Sequence, residues 1–450
     1  MADTAVLSDP VRLPSVRSLG SDSLARNALG IMVSTGSTAG LGFVFWTLAA
    51  RVLPQAEVGV AATVVPAMGA AALLASLGWS VTLVGELPGL AAWPPRWASL
   101  FWGAVAAAMA ATVPVAALTL VALANVSPEL VPGGLLSPQA ALFVVGAVAT
   151  SVHIVLDAAF VACRAGGCVA TRAAIGGILK LPLLLVAAGL AAAVAGAGAT
   201  AIVSSWVVAT SVSVLWGLLR LLPAQQPGAS PVHVSLGAAV RLHRGFLVDH
   251  IAGLGGMLPA YVLPVMVAAR VGPRHSAYFY VTWMVGSAVL MVSPAVSSAL
   301  FADGVHEPDR LGRTVRRAAV GTVGVLAPVT LAACSVGGLV LSVFGADYAA
   351  HGRILLVLVA VSALPDAVTN LAVAVLRARR RPAVAAAVNL VTAGVTLVLA
   401  WLLLPRLGIA GAGVAWLAAQ LVGVGVVGLV GAVGGFAPRS LWEQSCASST

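Results

Sequence analysis

The sequence predicts an all-α polytopic membrane protein, about 12 transmembrane helices in two six-helix lobes around a central cavity. Three observations lead there. Apolar residues make up 60% of the chain and charged residues 8%, with a mean hydropathy of +1.04, whereas a soluble domain carries about a quarter charged residues. Apolar runs of 22 to 26 residues recur from end to end, each long enough to cross ~30 Å of hydrocarbon at ~1.5 Å per residue. In lipid the backbone must satisfy its own hydrogen bonds, so runs of this length mean helices. Finally, the two halves resemble each other. A shift of 219 residues lays RVLPQAEVG (51–59) on RVGPRHSAY (270–278) and Gly36 on Gly255, and a slightly different shift lays DAAFVACR (157–164) on NLAVAVLR (370–377).

The elements follow in order. Residues 1–27 form a polar, proline-broken tail without the short apolar region and small-residue cleavage site of a removable signal. The spans expected in the first lobe (28–222) are 28–49, 59–83, 98–123, 139–163, 173–194 and 200–222. Residues 223–244 form an inner linker, and 434–450 a second tail. Between them the second lobe (245–433) holds spans 245–269, 277–301, 318–343, 354–376, 383–404 and 412–433. With the amino terminus inside, 18 of the 24 basic residues fall on the cytoplasmic side and five (Arg51, Arg270, Arg274, Arg353, Arg406) outside, with Lys180 in a span. That asymmetry puts both termini in the cytoplasm of a cell that holds this protein in its plasma membrane. Trp46 and Trp401 fit an outer interfacial belt, and Trp97, Trp102 and Trp216 an inner one. Six spans per half give both halves one topology, as in parallel repeats that enclose a substrate cavity.

The net charge of +10 does not mean nucleic acid, because the arginines lie between apolar runs rather than on one soluble face. Cys163, Cys168, Cys334 and Cys446 form no disulfide framework or metal knuckle. The sole lysine, Lys180, stands in GGILKLP (176–182), so no GxxxxGK[ST] loop exists, nor a DxD pair, HExxH or GxSxG. An enzyme, a cofactor or a metal is therefore not expected.

Buried ionisable groups are costly, at ~2.5–3.5 kcal/mol each at a helix centre, and so they are informative. Asp366 and Asn370 project from one face of the tenth span, and His153 and Asp157 form the same device in the fourth. They either line a polar cavity, with Asp366 and Asp157 as ion-coupling candidates, or hold the bundle together by interhelical hydrogen bonds. Lys180 sits at the depth of Asp157, and an ion pair between the two is the favoured reading over substrate binding. Arg51 and Arg270 end matching spans against the positive-inside trend. With Arg26 at the inner mouth they are candidates for holding phosphate bidentately, against the plainer reading of snorkelling to headgroups. Gly36 in the first span, and Gly255, Pro259 and Pro264 in the seventh, are hinge candidates. Close packing is the alternative for Gly36 and Gly40.

Several stretches resemble the polysaccharide flippases of the multidrug/oligosaccharidyl-lipid/polysaccharide exporter superfamily. LARNALG (24–30), AARVLPQAEVG (49–59) and SLGWSVTLV (76–84) look like that family's opening hairpin. FGADYAAHGRIL (344–355), LRARRRP (376–382) and LPRLGIAGAGVAW (404–416) look like its closing portion. The resemblance implies a transporter that moves a polyprenyl-diphosphate-linked oligosaccharide from inner to outer leaflet by alternating access. Its partners would be membrane lipids, the lipid-linked glycan and glycan-assembly enzymes. Where the lipid II flippase branch has an Arg-Asp pair in its first helix, Val44 and Phe45 stand here. A cation-coupled multidrug exporter of the same superfamily is the alternative; a membrane-embedded glycan polymerase or a non-transporting scaffold are further ones.

Overall fold

A computed structural model describes residues 21–76, 78–90, 94–194, 196–221, 247–294, 311–379 and 381–433. The described residues are helical, with no strand. Thirteen α-helices run in order: α1 Ser21–Val52, α2 Gln55–Ala75, α3 Trp79–Glu86, α4 Pro94–Val126, α5 Pro138–Ala162, α6 Gly166–Ala191, α7 Gly198–Leu221, α8 Leu247–Val271, α9 Pro273–Leu290, α10 Leu311–Ser342, α11 Ala346–Ala378, α12 Pro382–Leu407 and α13 Ile409–Ala432. Eleven are long and apolar enough to cross a membrane. The other two are the eight-residue α3 and the 32-residue α1. The expected spans thus fall on α1, α2 and α4–α13.

The helix ends have local causes. Ser137 accepts a hydrogen bond from the Ala140 N–H at 3.2 Å and starts α5, with Pro138 at the first helical position. Pro273 and Pro382 open α9 and α12 in the same way. Gly272 and Gly408 have φ of +97° and +58°, a backbone that side chains rarely adopt, and they let the chain reverse between consecutive spans. The second expected span, 59–83, is cut short for this reason. Gly78 at φ +81° ends the helical run, so α2 stops at Ala75 and α3 starts afresh at Trp79.

The chain forms two compact units, one within 1–54 and 67–247, the other within 55–66 and 248–450. The first three turns of α2 thus fall in the second unit. In the first unit α6 packs on α1 and α7, and α5 on α3, α4 and α7. Its core gathers Trp79, Leu83, Trp97, Phe101, Val155 and Phe160. Trp46 and Trp97 are buried at 1% and 4% exposure rather than interfacial, whereas Trp401 in the second unit is 45% exposed. In that unit α11 is the central helix, packed on α9, α10, α12 and α13. The inner linker, residues 1–20 of the first tail, the second tail and Cys446 lie outside the described residues, while residues 21–27, expected as tail, are helical and belong to α1.

Candidate functional site

In the second unit, α8, α11, α12 and α13 enclose a cavity of about 60 Å³. Its polar lining comes from Asp366, Thr369 and Asn370 of α11, Asn389 and Thr392 of α12, and Gln420 of α13. The i, i+4 spacing puts Asp366 and Asn370 on one face, and the Asn370 amide donates to Asp366 Oδ2 at 2.8 Å. Thr369 donates to the Asp366 carbonyl at 2.8 Å and reaches Gln420 Oε1 at 3.3 Å. Gly255 and Pro259 form the α8 wall. At Gly255 a Cβ would stand 3.0 Å from the α12 backbone at Asn389 and Leu390, so only glycine lets these helices approach so closely. Asp366 is 9% exposed. The lining is therefore one carboxylate among carboxamide and hydroxyl oxygens, a hard donor set that suits a small cation or water. The volume admits a few waters and falls far below the ~300–1,000 Å³ of a drug-sized site. Trp416 also lines it, and its indole Nε1–H is buried with no partner.

The first unit carries a different pattern. Asp157 pairs with Arg172 and not with the expected Lys180. The Arg172 guanidinium donates to Asp157 Oδ1, lies against both ring nitrogens of His153, and reaches Ser213 Oγ at 3.4 Å. A guanidinium can only donate, so of the two imidazole nitrogens it meets only the one without a hydrogen accepts. His153 and Asp157 are also 3.5 Å apart within α5. Arg172 is 1% exposed, and its Nε has no partner. The expected span began at 173, which left this arginine in a loop. The helix begins at Gly166, which buries Arg172 two turns inside.

Lys180, at the middle of α6 and 7% exposed, has no ion pair among the described residues. Its ammonium lies 4.4 Å from the ring centre of Trp206 on α7 and 5.2 Å from that of Phe45 on α1. Phe45, Trp46 and Trp206 pack on one another with ring centres 5.5 to 6.3 Å apart. The carboxylate expected to pair with Lys180 is thus taken by Arg172 instead.

The other candidates are dispersed. Arg270, in the last turn of α8, places its guanidinium 4.5 Å over Trp401 of α12. Arg51 is exposed in the last turn of α1. The side chain of Arg26 lies outside the described residues. Around Gly36 and Gly40 nothing comes within 4 Å of an added Cβ, so neither is a close-packing contact among the described residues. Pro264 offers its carbonyl to Ser276 Oγ at 3.1 Å. Cys163, Cys168 and Cys334 are free, and no three metal-ligating side chains cluster among the described residues.

No family model and no curated relative matches the chain. Solved structures do. A multidrug resistance MATE family transporter of the MOP superfamily, in its inward-facing conformation, superposes with a TM-score of 0.66 at 15% identity, covering 91% of this chain and 97% of that one. The lipid II flippase MurJ, in an inward closed conformation, gives 0.57 at 10% identity over 90% and 87%. A MOP superfamily transporter from Pyrococcus furiosus, for which a reversed polarity of the binding pocket suggests a different function, gives 0.56 at 14% over 91% and 95%. The chain therefore has the fold of the MOP superfamily transporters.

Proposed function

We propose that the protein is a flippase of the cytoplasmic membrane. It carries an amphiphile with an anionic head, a polyprenyl-diphosphate-linked oligosaccharide, from inner to outer leaflet by alternating access during polysaccharide export. The observation that supports this reading is the charge inside the first unit, where Arg172 takes the carboxylate of Asp157 and Lys180 lies against aromatic rings with no ion pair among the described residues. An ammonium at a helix centre costs ~2.5–3.5 kcal/mol, and cation–π contact with desolvated rings returns ~2. A deficit remains that a diphosphate headgroup would cover and a cationic drug would enlarge. In this reading the Asp366 cavity couples a small cation to the cycle.

The test is leaflet-to-leaflet transfer of a labelled polyprenyl-diphosphate glycan by the purified protein in lipid vesicles. Lys180→Gln is expected to slow it about tenfold, the effect of one lost contact of ~1.4 kcal/mol. Transfer by the variant at the parent rate would remove Lys180 from substrate handling. Accumulation of a cationic dye, with no transfer of the glycan, would instead favour the multidrug exporter. That second reading is supported by the acidic character of the Asp366 cavity.

A further inference from the structure

At the start of α2 the chain makes a cluster that neither the charge argument nor the Asp366 cavity uses. Gln55 is clamped on both ends of its amide. Its Oε1 accepts from Arg274 Nε at 2.9 Å and from the Tyr278 hydroxyl at 2.6 Å, and its Nε2 donates to Asp347 Oδ2 at 2.7 Å. Arg274 and Asp347 approach to 3.8 Å. His351 stacks on Tyr278 with ring centres 4.6 Å apart, and Tyr348 meets the same ring edge-on. One turn below, Gly59 lets α2 lie directly on the carbonyl of Pro273, where a Cβ would overlap it. Deeper still, the hydroxyls of Thr63 and Ser276 are 2.8 Å apart. These contacts hold residues 55–66 in the second unit, whereas 67–75 of the same helix belong to the first. The change falls at Pro66, inside α2, and a proline there removes one helical hydrogen bond and makes a bend cheap.

Two features mark the attachment as releasable. Two of its outer partners are wet, with the Arg274 and Asp347 side chains 61% and 50% exposed, so water replaces their bonds when they break; the third, Tyr278, is buried at 1% exposure. Its inner bond breaks without orphaning a buried group, because Thr63 also donates to the Gly59 carbonyl at 2.9 Å and Ser276 to the Pro264 carbonyl at 3.1 Å. The Gly59 contact presents no interlocking side chain.

We propose that Gln55, Arg274, Tyr278 and Asp347 form a latch that releases residues 55–66 of α2 from α9 and α11 during the transport cycle, with Pro66 as the bending point. Ser276 reports the state, being fully buried beneath Thr63. In a variant whose four native cysteines are alanine, Ser276→Cys is reacted with a soluble maleimide in lipid nanodiscs, with Thr63→Cys as the alternative reporter. Adding Gln55→Ala is expected to raise the labelling rate about tenfold, in proportion to the open population. Bridging Gln55→Cys to Asp347→Cys with a short bis-thiosulfonate is expected to lower it by about as much and to stop transport until a reductant is added. Labelling that is the same with the latch intact, weakened or bridged would show a static brace and overturn the proposal. Because the labelling needs no substrate, its outcome is independent of which cargo is carried.

Discussion

Arg172 and Lys180 stand two turns apart on one helix, and the structure treats them as different devices. Arg172 is a paired, buried cation with Asp157, His153 and Ser213 around it. Removing one member of such a pair leaves the other uncompensated, so Arg172→Ala is expected to lower stability by about 3 kcal/mol, read as a fall in the thermal midpoint of the purified protein. Lys180 has aromatic faces and no carboxylate. Replacing it by an apolar side chain of similar length removes a burial cost. Lys180→Met is therefore expected to hold stability or raise it by up to about 1 kcal/mol, read from the thermal midpoint, while slowing glycan transfer. A lysine kept only for structure would show the opposite pattern, lost stability with transfer unchanged. Asp366→Asn preserves the shape of the cavity and its hydrogen bond from Asn370 but removes its one carboxylate. Transfer driven by an ion gradient should fall with no change in membrane abundance, and full gradient-driven activity in vesicles would exclude Asp366 from coupling.

Among the helices, α8 and α1 separate two ideas that the sequence left together. Gly255 is a contact residue as well as a hinge candidate, since its missing Cβ makes room for α12. Gly255→Val should push α8 off α12 and cost about 1–3 kcal/mol, measured by thermal unfolding in detergent. Gly36 meets nothing within 4 Å, so Gly36→Ala should change stability by less than about 0.5 kcal/mol, read from the thermal midpoint. Loss of transport in that stable variant would assign Gly36 to motion, and normal transport would leave it without a role. Glycine frequency alone cannot make this distinction, because an open face and a crowded face use the same residue. The same limit applies to α6, whose start at Gly166 rather than near 173 turned a loop arginine into the most buried cation in the unit. Hydropathy windows place a helix by its apolar middle and miss a polar first turn that packing has buried.

Across the whole molecule, the spans and their loops predict that both termini face the cytoplasm. A reporter enzyme active only in the cytoplasm, fused to the carboxy terminus, should be active, and activity of an exported reporter at that position would reverse the topology. The halves' repeat also has a physical echo. Gln55 and Arg274 occupy equivalent places under the 219-residue shift, and the two side chains bond each other at 2.9 Å. The sequence by itself determined that the protein is a bundle of about twelve membrane helices, and that Asp366 with Asn370 and His153 with Asp157 share helix faces. Hydropathy and the 3.6-residue turn are properties of a local stretch and need no partner. Tertiary structure alone decided that Asp157 takes Arg172 and leaves Lys180 to aromatic rings. It also decided that the cavity around Asp366 is closed by α8, α12 and α13, and that Gln55 reaches Asp347 across 292 residues. Those outcomes depend on which helices lie side by side and at what rotation, and that is set by the packing of all of them at once.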